Sequence, residues 1–334
     1  MPNPREQPAW RRLWSGRVRM LIGIPISVLL LLLALSRIDL ALLGDAVAAV
    51  SIATLFAAAL LSVAEVSVRG VRWQFLLAPF AHVSFAHSMA YLTIGHLLNA
   101  VLPARLGDVM RALLTGVRLH ASRVSVLGTI AVERLADAAL LGLALAVGVL
   151  VGFRSLAPTL TAFVVAGAVA AALAVLGLLI LRHGGVAATR IGALITHHGG
   201  RFLAGAGALR EPRTFVVVVA LTGAAFALAI AIFAAVALAV GLSVPLWQSA
   251  LIIAAVTLST AIPSGPASIG TYEFVGMTVM TSMGYPAEAS LLCVALVHLV
   301  ALVPASLLGL AAMWWLGIRV PSLRSEAARS EALG

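Results

Sequence analysis

Six stretches of this 334-residue chain are apolar over lengths that approach or exceed a bilayer span: near 20–36, 53–78, 124–150, 160–181, 214–241 and 287–316. About 20 such residues carry a helix across the hydrocarbon core. Inside lipid every backbone N–H and C=O needs an internal partner, so each run reads as a membrane-spanning helix. Apolar residues make up 62% of the chain and charged residues 10%, with mean hydropathy +1.10. That leaves too little polar surface for a soluble fold of this length. The expected architecture is an all-α polytopic membrane protein. Its single membrane domain is expected over 20–317, between a basic cytoplasmic segment 1–19 and a cytoplasmic tail 318–334.

The net charge is +10 and every basic side chain is arginine. The arginines fall between apolar runs rather than along one face, which argues against nucleic acid as a partner and for positive-inside topology. Segments 1–19, 105–123, 182–213 and the tail are arginine-rich. The intervening loops carry Arg37, Arg154 and, around 242–248, none. Both termini are therefore expected in the cytoplasm, in a bacterial inner membrane. Arg11, Arg12, Arg17 and Arg19 before "LIGIPISVLLLLLALS" look like a signal sequence, but with so many spans behind it a retained signal anchor is the better reading. Cys293 is the single cysteine, which excludes an internal disulfide and a cysteine metal site.

That topology leaves two apolar segments, 88–114 and 249–283, that must enter and leave on the same side. "NAVLPARLGDVMR" breaks at Pro103 and Gly107; "STAIPSGPASIGTYEF" breaks at Pro263, Gly265, Pro266 and Gly270. The prolines Pro103 and Pro263 stand 160 residues apart, and an acidic residue follows each break. Paired Pro/Gly interruptions in two halves point to re-entrant, inverted-repeat-like hairpins around a transport site. Irregular backbone at that depth must be buried in protein or line a watery cavity.

The expected buried charges are Asp108, Glu133, Asp137, Glu273 and, less deep, Glu65, against Arg105, Arg111, Arg134, Arg69 and Arg72. Each costs roughly 2.5–3.5 kcal/mol at bilayer centre if uncompensated. Arg105, Asp108 and Arg111 step by three along one side of a helix; Glu133 and Asp137, like Glu65 and Arg69, are spaced by four. Two readings stand: a salt-bridge network that locks the bundle, and a hydrated cavity whose arginines grip an anionic group. "RGVRW", with Arg69, Arg72 and Trp73, reads as an interfacial anchor. Glu273 suits a helix first turn, and Asn99 either caps a half-helix or bonds across helices. His96 and His298 read as isolated structural residues, and His197–His198 lack metal-ligand spacing. Segment 182–213 reads as an amphipathic helix or a connector. No nucleophile, P-loop or nucleotide-binding pattern is present, so neither enzyme activity nor a cofactor is expected.

"RGVRWQFLL", "NAVLPARLGDVMRALL", "SVLGTIAVERLADAALL" and "AIPSGPASIGTYEFVGMTVMTSMGYPAEA", in this order, resemble the lysylphosphatidylglycerol synthase transmembrane family over roughly 20–317. The resemblance implies a flippase-like membrane domain, here without the aminoacyltransferase of its best-known members. It places Arg105, Asp108, Arg111, Glu133, Arg134, Asp137 and Glu273 on the family's polar positions, and His298 where an arginine is usual. The implied function is movement of an anionic phospholipid or lipid-linked envelope precursor between leaflets. The alternative is a non-transporting, lipid-binding accessory subunit of an envelope-lipid biosynthetic complex. Membrane lipids and envelope-lipid biosynthetic enzymes are the expected partners.

Overall fold

The structure, a computed structural model, describes residues 16–102, 106–152, 167, 169, 172–177, 179, 202, 204–261 and 264–318, without side-chain placement for 16–22, 40 and 148–152. Pro103, Arg105, Pro263, His197, His198, most of 182–213 and the tail beyond 318 lie outside the described residues.

Among the described residues the chain is helical throughout: α1 (Gly16–Leu35), α2 (Leu40–Ala48), α3 (Ile52–Leu77), α4 (Phe85–Val101), α5 (Leu106–Arg118), α6 (Arg123–Gly152), α7 (Pro212–Ala239), α8 (Leu246–Ser259), α9 (Thr271–Ser282) and α10 (Ala287–Trp315). Residues 172–177, inside the expected span at 160–181, are helical too. Three helices, α3, α7 and α10, are long and apolar enough to cross a membrane by length and composition. Helix α2 was not foreseen. Asp39 starts it by accepting the Ala41 N–H at 2.8 Å, an ordinary N-cap. Ser51, Ser84 and Glu211 cap α3, α4 and α7 in the same way.

Helices α3 and α7 pack along each other, with the Ser51 N–H bonded to the Ala239 carbonyl at 2.9 Å, so the two run antiparallel. Helix α10 lies on α4, α9 and α3. Each expected broken segment is a pair of short helices packed on one another, α4 with α5 and α8 with α9.

The two pairs open at opposite ends of the bundle. At one end the His87 ring, near the start of α4, sits 5.0 Å from that of Trp315, and Arg118, at the end of α5, donates to the Leu316 carbonyl at 3.3 Å. At the other end Tyr285, just past α9, donates to Gln248 near the start of α8 and to the Ser243 carbonyl at 3.4 Å.

Each pair anchors its own apolar cluster. One gathers Trp73, Leu77, Tyr91, Ile94, Ala112 and Val126; the other gathers Phe233, Val236, Ile252, Met280, Cys293 and Val297. The outer face stays apolar: Leu29, Leu32, Leu60, Val219, Leu299 and Leu307 are each more than half exposed. A soluble protein rarely leaves so many large apolar side chains in water, whereas a membrane-embedded multi-pass protein presents them to lipid.

Two glycines show why the breaks carry this residue. A Cβ on Gly107 would strike the Gly95 carbonyl, the Asn99 amide and, at 2.6 Å, the Asn99 side-chain oxygen, so only glycine lets α5 cross α4 this closely. Gly270 has φ +89° and abuts the Ser27 backbone of α1, a conformation that costs most other residues energy. Opposite α4, the turn at Pro266–Ser268 packs directly on that helix. The second break thus touches the first helix pair.

Candidate functional site

Charge is concentrated on α3, α5 and α6. Arg72 projects from α3 and is 1% exposed. One of its terminal nitrogens donates to Asp137 Oδ1 at 2.5 Å and to Thr222 of α7 at 2.9 Å; the other reaches Glu133 Oε1 at 3.4 Å. Arg111 of α5, equally buried, donates to Glu133 Oε2 at 2.8 Å. Its guanidinium lies 3.5 Å above the Trp73 ring, an attractive arrangement in a water-poor site. Trp73 in turn donates to Thr129 Oγ1 at 3.1 Å. Arg69 bonds Glu65 on its own helix and Asp137 at 3.0 Å.

Arg134 grips both oxygens of Asp108 at 3.1 Å, and Asn99 donates to the same carboxylate at 3.0 Å. Glu65, Asp108, Glu133 and Asp137 therefore balance Arg69, Arg72, Arg111 and Arg134. Buried charges persist only with such compensation, because an unpaired one costs several kcal/mol.

The structure thus joins Asn99, Asp108, Arg111, Glu133, Arg134 and Asp137 in one cluster. Glu273 stands apart from it. Its Oε2 accepts the Gly270 N–H at 2.6 Å, capping α9, and its Oε1 lies 2.6 Å from His298 Nδ1. His298 is therefore not isolated.

The anchor reading of Arg72 and Trp73 is also corrected. Both are sealed inside the protein, 1% and 0% exposed, because α4, α6 and α7 pack on α3 and Arg111 of α5 lies over the Trp73 ring. Sequence placed them at the end of a span but could not show what covers that end. Thr222 and Thr129 went unnoticed, although a hydroxyl inside "VVVVALTGAAFALA" was the available signal.

Exposure separates two roles. Arg72 and Arg111 are covered in this structure and link α3, α5, α6 and α7. Arg134, with a side chain 37% exposed, and Arg69, at 23%, stay partly exposed. Among the described residues no three His, Cys, Asp or Glu side chains come together as a metal site.

A family model described as the lysylphosphatidylglycerol synthase TM region matches residues 20–309. No curated protein and no solved structure matches the chain.

Proposed function

Because this chain belongs to the lysylphosphatidylglycerol synthase TM region family, we propose that it moves an anionic phospholipid or a lipid-linked envelope precursor between the leaflets of a bacterial inner membrane. The observation that carries this reading is the meeting of two broken helix pairs, opening at opposite ends, beside an arginine whose side chain is partly exposed. In a bilayer with six full spans, such pairs are re-entrant hairpins related as inverted repeats. The end that collects Arg118, Arg123, Arg210 and Arg213 then faces the cytoplasm. Arg134, fixed by Asp108, which Asn99 also holds, binds the lipid phosphate while the tails stay in lipid. A carboxylate that clamps one edge of a guanidinium leaves the other for a phosphate oxygen. The chain itself performs no covalent chemistry.

The test uses purified protein in liposomes carrying a fluorescent anionic lipid, with a membrane-impermeant quencher outside. Protein-dependent loss of the inner-leaflet signal is expected, with Arg134→Ala slowing it about tenfold or more in protein that still folds, as loss of one charge-assisted contact worth ~1.5–3 kcal/mol predicts. Exchange equal to that of empty liposomes, with every host anionic lipid, overturns the proposal.

The charge balance favours one other reading, an accessory subunit of an envelope-lipid biosynthetic complex in which the whole network is a structural lock. That reading expects co-purification with an envelope-lipid enzyme and no lipid exchange.

A further inference from the structure

The Glu273–His298 pair is the buried ionisable group that the proposed headgroup site leaves unused. It joins two elements that are otherwise only packed together: the break before α9 and the middle of α10. Each oxygen of Glu273 has its own task, one taking the Gly270 N–H and the other the imidazole, both at 2.6 Å. The His298 ring also stacks on Tyr272, with ring centroids 4.3 Å apart. The two side chains are 9% and 13% exposed, so both are nearly covered.

Among the described residues, the groups around the pair supply no other cation. Helix α8 and the described side chains of α1 contain no ionisable residue. Tyr272, stacked on the His298 ring, supplies no cation. Arg37, beyond α1, lies over the Phe274 ring at 5.7 Å, and Glu288 of α10 accepts the Asp39 N–H at 3.1 Å. On α3, Glu65, Arg69 and Arg72 are committed to the network with Glu133 and Asp137. Asp45 on α2, His96 on α4 and Arg213 on α7 make no contact with the pair among the described residues.

We infer that Glu273 and His298 together form a proton-binding site that fastens the second break to α10. With the imidazole protonated, the pair is a neutral, charge-assisted hydrogen bond. When the imidazolium gives its proton to water, the carboxylate is left as the one charge in a low-dielectric setting. The hydrogen bond between them is then no longer charge-assisted and holds the carboxylate less tightly. A carboxylate that turns away also gives up the Gly270 N–H, so the cap of α9 loosens with it. The proton thus decides whether the break is pinned or free to move. The inference concerns the pair alone; where the chain carries lipid, this site is where a proton couples to the movement.

Hydrogen exchange at the Gly270 amide, followed by mass spectrometry on the detergent-purified protein, reads the pin directly and needs no lipid substrate. His298→Arg supplies a permanent cation, and the ratio to it at each pH cancels the intrinsic pH dependence of exchange. The native protein should match His298→Arg at about pH 5 and exchange about tenfold faster than it at about pH 8, the window in which a histidine changes charge. His298→Gln should exchange fast at both. If His298→Gln does not fold, the native-to-arginine ratio decides alone. A ratio that stays constant across that range overturns the inference.

Discussion

Replacing Arg72 by methionine removes a cation that serves two carboxylates and a threonine hydroxyl at once. The guanidinium lies 2.5 Å and 3.4 Å from the two oxygens of Asp137, 3.4 Å from Glu133 and 2.9 Å from Thr222. Methionine fills much of the same volume, so the loss is mainly electrostatic. Glu133 keeps Arg111 and Asp137 keeps Arg69, but four carboxylates are left facing three guanidiniums.

Removing one partner of a buried pair costs about 3–5 kcal/mol, chiefly because the other charge stays behind. At about 2 °C per kcal/mol, the low end for larger chains, the melting temperature of the detergent-purified protein should fall by about 6–10 °C. Pairing the change with Asp137→Asn removes the surplus charge. The double variant should therefore be less destabilised than the two single changes added together, by about 1–3 kcal/mol. An arginine that merely anchored the helix end in the interface would cost about 0–1 kcal/mol instead. Arg72→Met melting within about 2 °C of the parent, or strict additivity in the double variant, would refute the reasoning that these charges compensate one another in a dry site.

Other substitutions probe the remaining elements. Gly107→Ala should destabilise by about 1–3 kcal/mol through overpacking against backbone that cannot yield, whereas Gly44→Ala in α2, where a Cβ meets nothing within 4 Å, should be neutral or stabilising; paired thermal melts compare them. Ser27→Ala leaves the buried Gly265 N–H without its 2.8 Å partner and should cost about 1–3 kcal/mol, read as a lower melting temperature and faster exchange at Gly265.

Glu211 is exposed. Bonds from the Thr214 hydroxyl and N–H hold its carboxyl below the usual glutamate range. A lowered folded-state value means that its cap on α7 is fully present above the ordinary glutamate range and is lost as pH falls through the lowered value. Exchange at the Thr214 amide should therefore rise relative to its intrinsic rate in mild acid, and Glu211→Gln should abolish that pH dependence.

Much of this protein was legible before any tertiary contact was known. Apolar length placed α1, α3, α6, α7 and α10 to within a few residues, since a helix that crosses lipid must be apolar along its length. Pro/Gly interruptions marked where the two helix pairs break. Spacing by four foretold that Glu65 and Arg69 would pair, because residues one helical turn apart are neighbours on any helix. Helix α2 escaped notice because it is only nine residues long and merges with the apolar background around it. His298 escaped because its partner lies 25 residues away on a different helix.

The sequence by itself therefore determined which long segments are helices, where they break and that the interior charges nearly balance; a bilayer demands apolar length and compensated charge of any chain that enters it. Only the tertiary structure decided which charge meets which. Arg72 reaches partners 61 to 150 residues away, and its choice depends on how far each helix is rotated about its own axis. Hydropathy leaves that rotation open, and packing at Gly107, Trp73 and Thr222 settles it. The same packing seals Arg72 and Arg111 away and leaves part of Arg134 open, and no count of charges along the chain could have told these arginines apart.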